Sequence, residues 1–146
     1  MELNIQTVLE AMGRPRDFVQ TIPDARVAVV EGKGSGLFAT RARLADELVC
    51  KLDGQVVDCE LYPEVMIALE WNALSERLLL VRPLRTSYGY INHARTPNLA
   101  IDPDGVHLRA ARHIAACEEF TLNYLAPPVP PAYLASAEGR FLCGVD

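Results

Sequence analysis

The feature that most restricts the fold of this chain is a series of short apolar runs separated by turn residues. Residues 99–101 and 106–108 flank an Asp-Pro-Asp-Gly turn, and residues 48–52 and 55–57 flank Asp53-Gly54, a dipeptide typical of hairpin turns. The two patterns predict two hairpins. Many short strands joined by tight turns indicate a mainly β fold built from small sheets.

Two further extended regions are predicted on either side of these hairpins. Residues 26–30 form a strand, which a glycine-rich turn over residues 31–36 joins to extended structure at residues 37–40. Residues 120–124 form a last strand. Four prolines between residues 127 and 131 end the sheet there, because proline has no N–H to donate to a neighbouring strand. The tail that follows begins with helical character.

One helix is predicted over about residues 63–79, with Pro63 in its first turn. Its apolar stripe repeats at helical spacing and consists of Val65, Met66, Leu69, Ala73 and Leu74. The chain's single tryptophan, Trp71, is interpreted as core or interface packing rather than as a cofactor contact. Residues 1–22 are predicted to form a partly helical extension, residues 23–126 the domain, and residues 127–146 a proline-rich link and tail.

Composition excludes several classes of function. The chain has 146 residues, half of them hydrophobic, which suits one domain with one core. A net charge of -5 argues against direct nucleic-acid binding and favours a basic ligand. No apolar run approaches the length of a membrane span, and no secretory signal is visible, so we expect a cytoplasmic protein without a membrane partner.

The cysteines and the aspartate-rich turn do not specify a metal site. Cys50, Cys59, Cys117 and Cys143 are scattered without a C-x-x-C pair, which favours free thiols, with a disulfide or a zinc site as alternatives. Asp102 and Asp104 offer fewer oxygen ligands than calcium requires and are interpreted as turn residues. The sequence therefore predicts no bound metal.

Three separated segments share a resemblance to one family. They read GKGSGLFATR at residues 32–41, YINHARTPN at residues 90–98 and IAACEEFTLNY at residues 114–124. In this order and spacing they resemble the three motifs of the SET-domain protein methyltransferases. The resemblance implies a fold of several small β-sheets, β-clip-like, with the 63–79 helix as an insert and a pseudo-knot-like active site near the C-terminus.

The resemblance also implies an activity and a cofactor. SET-domain enzymes transfer a methyl group from S-adenosyl-L-methionine to a protein lysine and leave S-adenosyl-L-homocysteine. The residues carried over to cofactor binding are Lys33, Gly34, Ser35, Gly36, Leu37, Asn92, His93, Tyr124 and Phe141. Glycines let backbone groups approach a ligand closely. Asn92 is implied to hold the polar end of the cofactor, and His93 to lie beside the adenine.

Tyr124 is implied to be the active-site tyrosine, whose hydroxyl orients the lysine amine. Tyr90 is the second catalytic candidate and, with Tyr88, a candidate for the pocket wall. Glu118 and Glu119 are not expected to act as an acid-base pair, since adjacent residues of a strand point to opposite faces. Methyl transfer needs alignment of the neutral amine and exclusion of water rather than covalent catalysis.

The chain departs from the family pattern at several positions. Ala94 and Arg95 replace a usual serine and cysteine. Gly89, Cys117 and Asn123 stand where an arginine, a glycine and an aspartate are common in the family. The tail keeps one cysteine, so no zinc site closes the channel as in many relatives; Phe141 covers the cofactor or anchors the tail. The alternative function is a non-catalytic SET-like module that binds cofactor or peptide. The expected partners are a lysine-bearing basic protein or peptide and a second copy of the chain.

Overall fold

The computed structural model describes residues 21–32 and 34–136, and short strands dominate them. The strands are β1 (Ala25–Val30), β2 (Gly34–Ala39), β3 (Leu48–Lys51), β4 (Gln55–Asp58), β5 (Glu70–Ala73), β6 (Leu78–Arg82), β7 (Asn92–His93), β8 (Leu99–Ile101), β9 (His107–Ala110) and β10 (Thr121–Leu122). The helices are α1 (Val65–Ala68), α2 (Pro131–Ala135) and a 3₁₀ helix (Ser87–Tyr90). The prediction of a mainly β fold of small sheets is confirmed.

The described residues divide into two units. The motif unit comprises residues 21–52 and 86–124, and the insert unit comprises residues 53–85 and 125–136. No helix in these stretches has the length and apolar character that crossing a membrane requires. The domain limits predicted at residues 23 and 126 stay a prediction. Residues 1–20 of the predicted extension, Lys33 and Phe141 lie outside the described residues.

Three small sheets make up the motif unit. β1 and β2 are antiparallel, β9 lies between β3 and β8 with antiparallel pairing on both sides, and β7 runs parallel to β10. The β8–β9 hairpin is the one predicted around the Asp-Pro-Asp-Gly turn. The core of this unit includes Leu37, Ala39, Ile91, Leu99, Leu108, Ile114 and Phe120, each at most 2% exposed.

The glycine-rich turn is shorter than predicted. β2 already begins at Gly34, which lies opposite Val30 of β1, so Gly34 and Gly36 are strand residues. The described turn residues are Glu31 and Gly32. A strand begins this early because antiparallel backbone hydrogen bonds with β1 are available as far as Gly34.

The hairpin predicted around Asp53-Gly54 is wrong. β3 pairs with β9 and β4 pairs with β6, so the strands on the two sides of this dipeptide have different partners. Gly54 has a φ of +152°, and a Cβ atom at this position would lie 2.6 Å from the carbonyl oxygen of Val81. Glycine is therefore required by the close approach of the two backbones rather than by a hairpin turn.

The helix predicted over residues 63–79 is also wrong beyond its first turn. Only Val65–Ala68 is α-helical; Glu70–Ala73 and Leu78–Arg82 form the antiparallel pair β5 and β6. The apolar residues Leu69, Trp71 and Ala73 alternate with polar ones. This alternation is typical of a strand, so the same segment fits both a strand pattern and a helix pattern. The chain turns between β5 and β6 at Ser75, whose hydroxyl accepts hydrogen bonds from the N–H groups of Arg77 and Leu78.

The sheet β5–β6–β4 forms the core of the insert unit. Buried residues of the cluster are Val57, Cys59, Val65, Met66, Ala73, Leu79 and Val81. Trp71 packs against this cluster, donates its indole N–H to the carbonyl of Met66 at 2.9 Å, and meets the ring of Tyr133 edge-on at 4.9 Å between centroids. The interpretation of Trp71 as a packing residue is confirmed.

Candidate functional site

The three segments that carry the sequence motifs meet in the motif unit. β7, from the second segment, pairs with β10, from the third, with Asn92 opposite Thr121. On β2, from the first segment, Phe38 bridges to Glu119, and the Leu37 carbonyl accepts the Phe120 N–H at 2.8 Å. The three motif segments, which are far apart in the sequence, are therefore hydrogen bonded to one another in one small region of the motif unit.

Asn92 lies at the centre of this region. Its side-chain nitrogen donates to the carbonyl of Ser35 at 3.0 Å and to Oε2 of Glu119 at 2.7 Å. A carbonyl and a carboxylate accept hydrogen bonds and do not donate them, so the amide must present Nδ2 to both. Both amide hydrogens are thus used, and Oδ1, an acceptor, is the polar atom left for another group.

Gly36 and Gly34 have different physical reasons for being glycine. A Cβ atom on Gly36 would lie 2.6 Å from Oε2 of Glu119 and 2.8 Å from Cγ2 of Val30, so the chain's own side chains occupy that space. A Cβ atom on Gly34 would meet nothing within 4 Å, yet Gly34 has a φ of +83°. Gly34 is required for its left-handed backbone, and the space beside it is open.

His93 is held in one tautomer. Its Nδ1 accepts the backbone N–H of Tyr124 at 3.0 Å, so a neutral ring carries its proton on Nε2. Burial, assisted by the charge of Arg95, lowers the pKa of His93 below its usual value, which favours the neutral ring. The buried Nε2 has no hydrogen-bond partner among the described residues.

Tyr124 is hydrogen bonded to His93 of β7 and to Ile91, the residue before β7. Its hydroxyl donates a hydrogen bond to the carbonyl of Ile91, a buried residue, and the centroid of its ring lies 5.1 Å from that of the His93 ring. With the backbone bond to His93, these contacts fix both ends of the tyrosine. The hydroxyl oxygen therefore has a defined position and orientation.

The other predicted residues occupy more varied positions. Tyr90 ends the 3₁₀ helix, which packs against β2, and its side chain is half-buried, like that of Tyr88. Leu37 is 1% exposed and belongs to the core, so its side chain packs inside the unit. The structure brings together Gly34, Ser35, Gly36, Asn92, His93 and Tyr124. The roles of all these residues stay predictions.

The carboxylates of Glu118 and Glu119 have different partners, as expected of neighbours on an extended chain, although Asn98 Nδ2 donates both to the Glu118 carboxylate and to the Glu119 carbonyl. Glu118 pairs with Arg112 at 2.5 Å and accepts the Ala115 N–H, and these bonds, the Arg112 bond foremost, lower its pKa from 4.5 to about 2. Glu119 instead faces Asn92. The sequence did not predict the contact between Glu119 and Asn92, because the two glutamates were considered only as an acid-base pair.

Asn98 connects the second and third segments and was also missed as a structural residue. It is 1% exposed, accepts the Thr121 N–H at 2.8 Å and donates to the Glu119 carbonyl at 2.7 Å. Its position as the last residue of the second motif was the available signal. Fully satisfied buried amides of this kind hold two backbone segments in one relative position.

The turn between β8 and β9 places three potential metal ligands near one another. The ligand atoms of Asp102, Asp104 and His107 lie within 4.8 Å of one another. Hydrogen bonds from the backbone N–H groups of Val106 and His107 lower the pKa of Asp104 to about 2. These bonds suit the predicted role of the aspartate as a turn residue.

Comparison with known families gives one result. The family model described as SET domain matches residues 34–125. A search of curated proteins finds no match to the chain. The matched stretch contains all the residues that meet around Asn92.

Proposed function

This chain belongs to the SET-domain family, and from that premise we propose that it transfers a methyl group from S-adenosyl-L-methionine to a lysine side chain of a protein. SET-domain proteins are typically protein-lysine methyltransferases. The single observation that carries the proposal for this chain is the junction at Asn92, where residues from all three motifs are hydrogen bonded.

The residues at this junction fit the proposed cofactor. Oδ1 of Asn92 is an acceptor, which suits the α-ammonium group of the methionine portion. Nε2 of His93 is a buried donor without a partner among the described residues, which suits a ring nitrogen of the adenine. The open space beside Gly34 allows backbone groups to approach a ligand. Bound S-adenosyl-L-methionine supplies a methyl group on a positively charged sulfur.

Tyr124 is the proposed catalytic residue. Because its hydroxyl hydrogen points to the Ile91 carbonyl, the lone pairs of its oxygen are directed away from that carbonyl and suit the N–H groups of an incoming amine. A lysine has an ordinary pKa of about 10.4, so it must lose a proton before it attacks. A pocket that excludes water favours the neutral amine. Tyr90 is proposed as part of the pocket wall.

The remaining expectations stay proposals. Lys33, Leu37 and Phe141 are proposed cofactor contacts, the last as a hydrophobic cover. A net charge of -5 supports a basic protein or peptide as the substrate rather than a nucleic acid. The cytoplasm as the location and a second copy of the chain as a partner rest on the sequence alone.

Calorimetry and a methylation assay test this function. We expect wild type to bind S-adenosylmethionine and to methylate basic proteins. Tyr124→Phe should bind cofactor within about threefold of wild type but transfer methyl about 100-fold more slowly, because one hydroxyl that acts on the reacting groups is lost. Tyr62→Phe, which alters an exposed tyrosine of the insert unit, is the matched control and should leave both measurements unchanged.

The outcomes separate the proposed enzyme from the alternative. Wild type that binds no cofactor contradicts the proposed function. Cofactor binding without methyl transfer to any basic protein supports the non-catalytic SET-like module instead. Equal transfer rates for wild type and Tyr124→Phe would remove Tyr124 from the catalytic role.

A further inference from the structure

Glu119 is fixed in place at both its backbone and its side chain. Its carbonyl accepts the side-chain N–H of Asn98 at 2.7 Å, and its backbone forms a bridge with Phe38. Its Oε2 accepts the Nδ2 hydrogen of Asn92 at 2.7 Å and occupies the space that a side chain on Gly36 would need. The carboxylate therefore lies where the first and second motifs meet.

We propose that Glu119 is a positioning residue that acts through Asn92, and that it makes the site selective for ligands with an α-ammonium group. This inference rests on the proposed function. The carboxylate holds the Asn92 amide with Nδ2 inward, so that Oδ1 is the atom presented to the ligand. An ammonium group donates to Oδ1, whereas a carboxylate at the same place would be repelled.

The physical reason is that the two ends of an asparagine amide have nearly the same shape. Packing alone does not distinguish them, but a hydrogen-bond acceptor does, because only the NH₂ end can donate to it. With the amide reversed, Oδ1 would face Oε2 of Glu119 and the carbonyl of Ser35, three acceptors without a hydrogen between them. Hydrogen bonds to a carboxylate are about twice as strong as neutral ones, so Glu119 contributes more than Ser35 to this preference.

Gly36 has a part in the same arrangement. Oε2 of Glu119 lies 2.6 Å from the position of an added Cβ on Gly36, closer than any real Cβ contact. A side chain on residue 36 would therefore displace the Glu119 carboxylate from the position in which it accepts from Asn92. Gly36 acts here by admitting the carboxylate of Glu119, in addition to any approach of its backbone to a ligand.

Two variants of Glu119 separate hydrogen bonding from packing and charge. Glu119→Met keeps the length of the side chain and removes the acceptor. Glu119→Gln removes the charge but keeps an oxygen that can accept from Asn92. Two ligands complete the design: S-adenosylhomocysteine, which carries the α-ammonium group, and 5′-methylthioadenosine, which lacks the whole amino-acid portion.

We expect Glu119→Met to weaken binding of S-adenosylhomocysteine about 10- to 100-fold, the range for a lost hydrogen bond to a charged group. Binding of 5′-methylthioadenosine should stay within about twofold, because this ligand has no group for Oδ1 of Asn92. Glu119→Gln should restore affinity for S-adenosylhomocysteine to within about threefold of wild type. Asn92→Ala should add little further loss in the Glu119→Met background, since both changes remove one interaction.

A second measurement needs no ligand. The side-chain NH₂ resonances of Asn92 in ¹⁵N NMR should move in Glu119→Met, and in Glu119→Gln they should lie near their wild-type positions. Unchanged Asn92 resonances in Glu119→Met would overturn the inference. So would equal losses of affinity for the two ligands, which indicate a structural role for Glu119. Wild type that binds neither ligand, with the expected NMR shifts, contradicts the proposed function but supports the control of Asn92 by Glu119.

Discussion

Cys117 occupies a backbone conformation that disfavours its own side chain. It is exposed and has a φ of +70°, and its N–H donates to the Ala39 carbonyl at 2.8 Å. A left-handed conformation costs an L-residue about 1–2 kcal/mol, whereas glycine adopts it freely. The resemblance to SET-domain proteins had already marked this position, because a glycine is usual there.

We therefore expect Cys117→Gly to raise the free energy of unfolding by about 0.5–1 kcal/mol. The gain is smaller than the relief of strain, since glycine also increases the entropy of the unfolded chain. Urea denaturation measures the change. Cys117→Ala keeps the Cβ atom and serves as the control that should show no such gain; a stabilisation equal to that of glycine would rule out backbone strain as the cause.

The carboxyl of Glu118 should contribute to the dependence of stability on pH. Its pKa is about 2 in the folded chain against an ordinary 4.5, chiefly because of Arg112. A carboxyl with a lowered pKa stabilises the fold above its unfolded pKa and loses that contribution as the pH falls towards 2. Glu118→Gln should therefore be less stable than wild type at pH 7 and should lose less stability between pH 7 and pH 3.

Urea denaturation at the two pH values gives this comparison. Glu64→Gln, which changes an exposed carboxyl in the insert unit, is the control and should follow wild type at both. A parallel fall in the stability of wild type and Glu118→Gln would show that another carboxyl dominates acid unfolding.

At the scale of elements, Gly54, which lies between β3 and β4, should tolerate substitution less well than Gly32. Gly54→Ala combines a φ of +152° with a Cβ atom 2.6 Å from the Val81 carbonyl oxygen, so we expect a loss of about 2–3 kcal/mol in the free energy of unfolding. Gly32→Ala is the matched control: its φ is +79°, but its Cβ would meet nothing within 4 Å. It should cost only about 1 kcal/mol. Thermal or urea unfolding measures both losses. Equal losses of stability in the two variants would contradict the proposed effect of the close contact between residue 54 and the Val81 carbonyl.

The paired strands β5 and β6 show why the element predicted as a helix became a sheet. Arg82 is 1% exposed, and its guanidinium pairs with Glu70 at 2.5 Å and with Oδ1 of Asn72 at 3.0 Å. These partners lie across the two strands, 12 and 10 residues from Arg82. A helical stripe counts only residues three or four apart, so it could not include such an interaction.

For the whole molecule, cofactor binding predicts a gain in stability. On the proposed function, S-adenosylhomocysteine at 100 times its dissociation constant stabilises the folded chain by about 2.7 kcal/mol, because it binds the folded state alone. Differential scanning calorimetry across a ligand series measures this shift. Asn92→Ala at the same ligand concentrations should show a much smaller shift. No shift for wild type at any concentration would contradict cofactor binding.

The sequence by itself determined those features of the protein that depend on residues close together in the chain, such as turns and short motifs. The Asp-Pro-Asp-Gly turn forms the predicted β8–β9 hairpin because its side chains and glycine act on the backbone beside them. The three motifs were visible as local patterns, and the SET-domain match over residues 34–125 agrees with them. The mainly β architecture follows from the same short runs and turns.

The tertiary structure alone decided which strands pair and what the motifs contact. The strands on the two sides of Asp53-Gly54 pair with β9 and β6 rather than with each other. Glu119 accepts a hydrogen bond from Asn92, which lies 27 residues earlier in the chain. Such pairings depend on burial and hydrogen bonding between distant segments, which turn propensity and periodicity do not encode. Gly36 illustrates both levels: its place in the motif was visible in the sequence, but only the fold shows that the Glu119 carboxylate lies where a side chain on residue 36 would be.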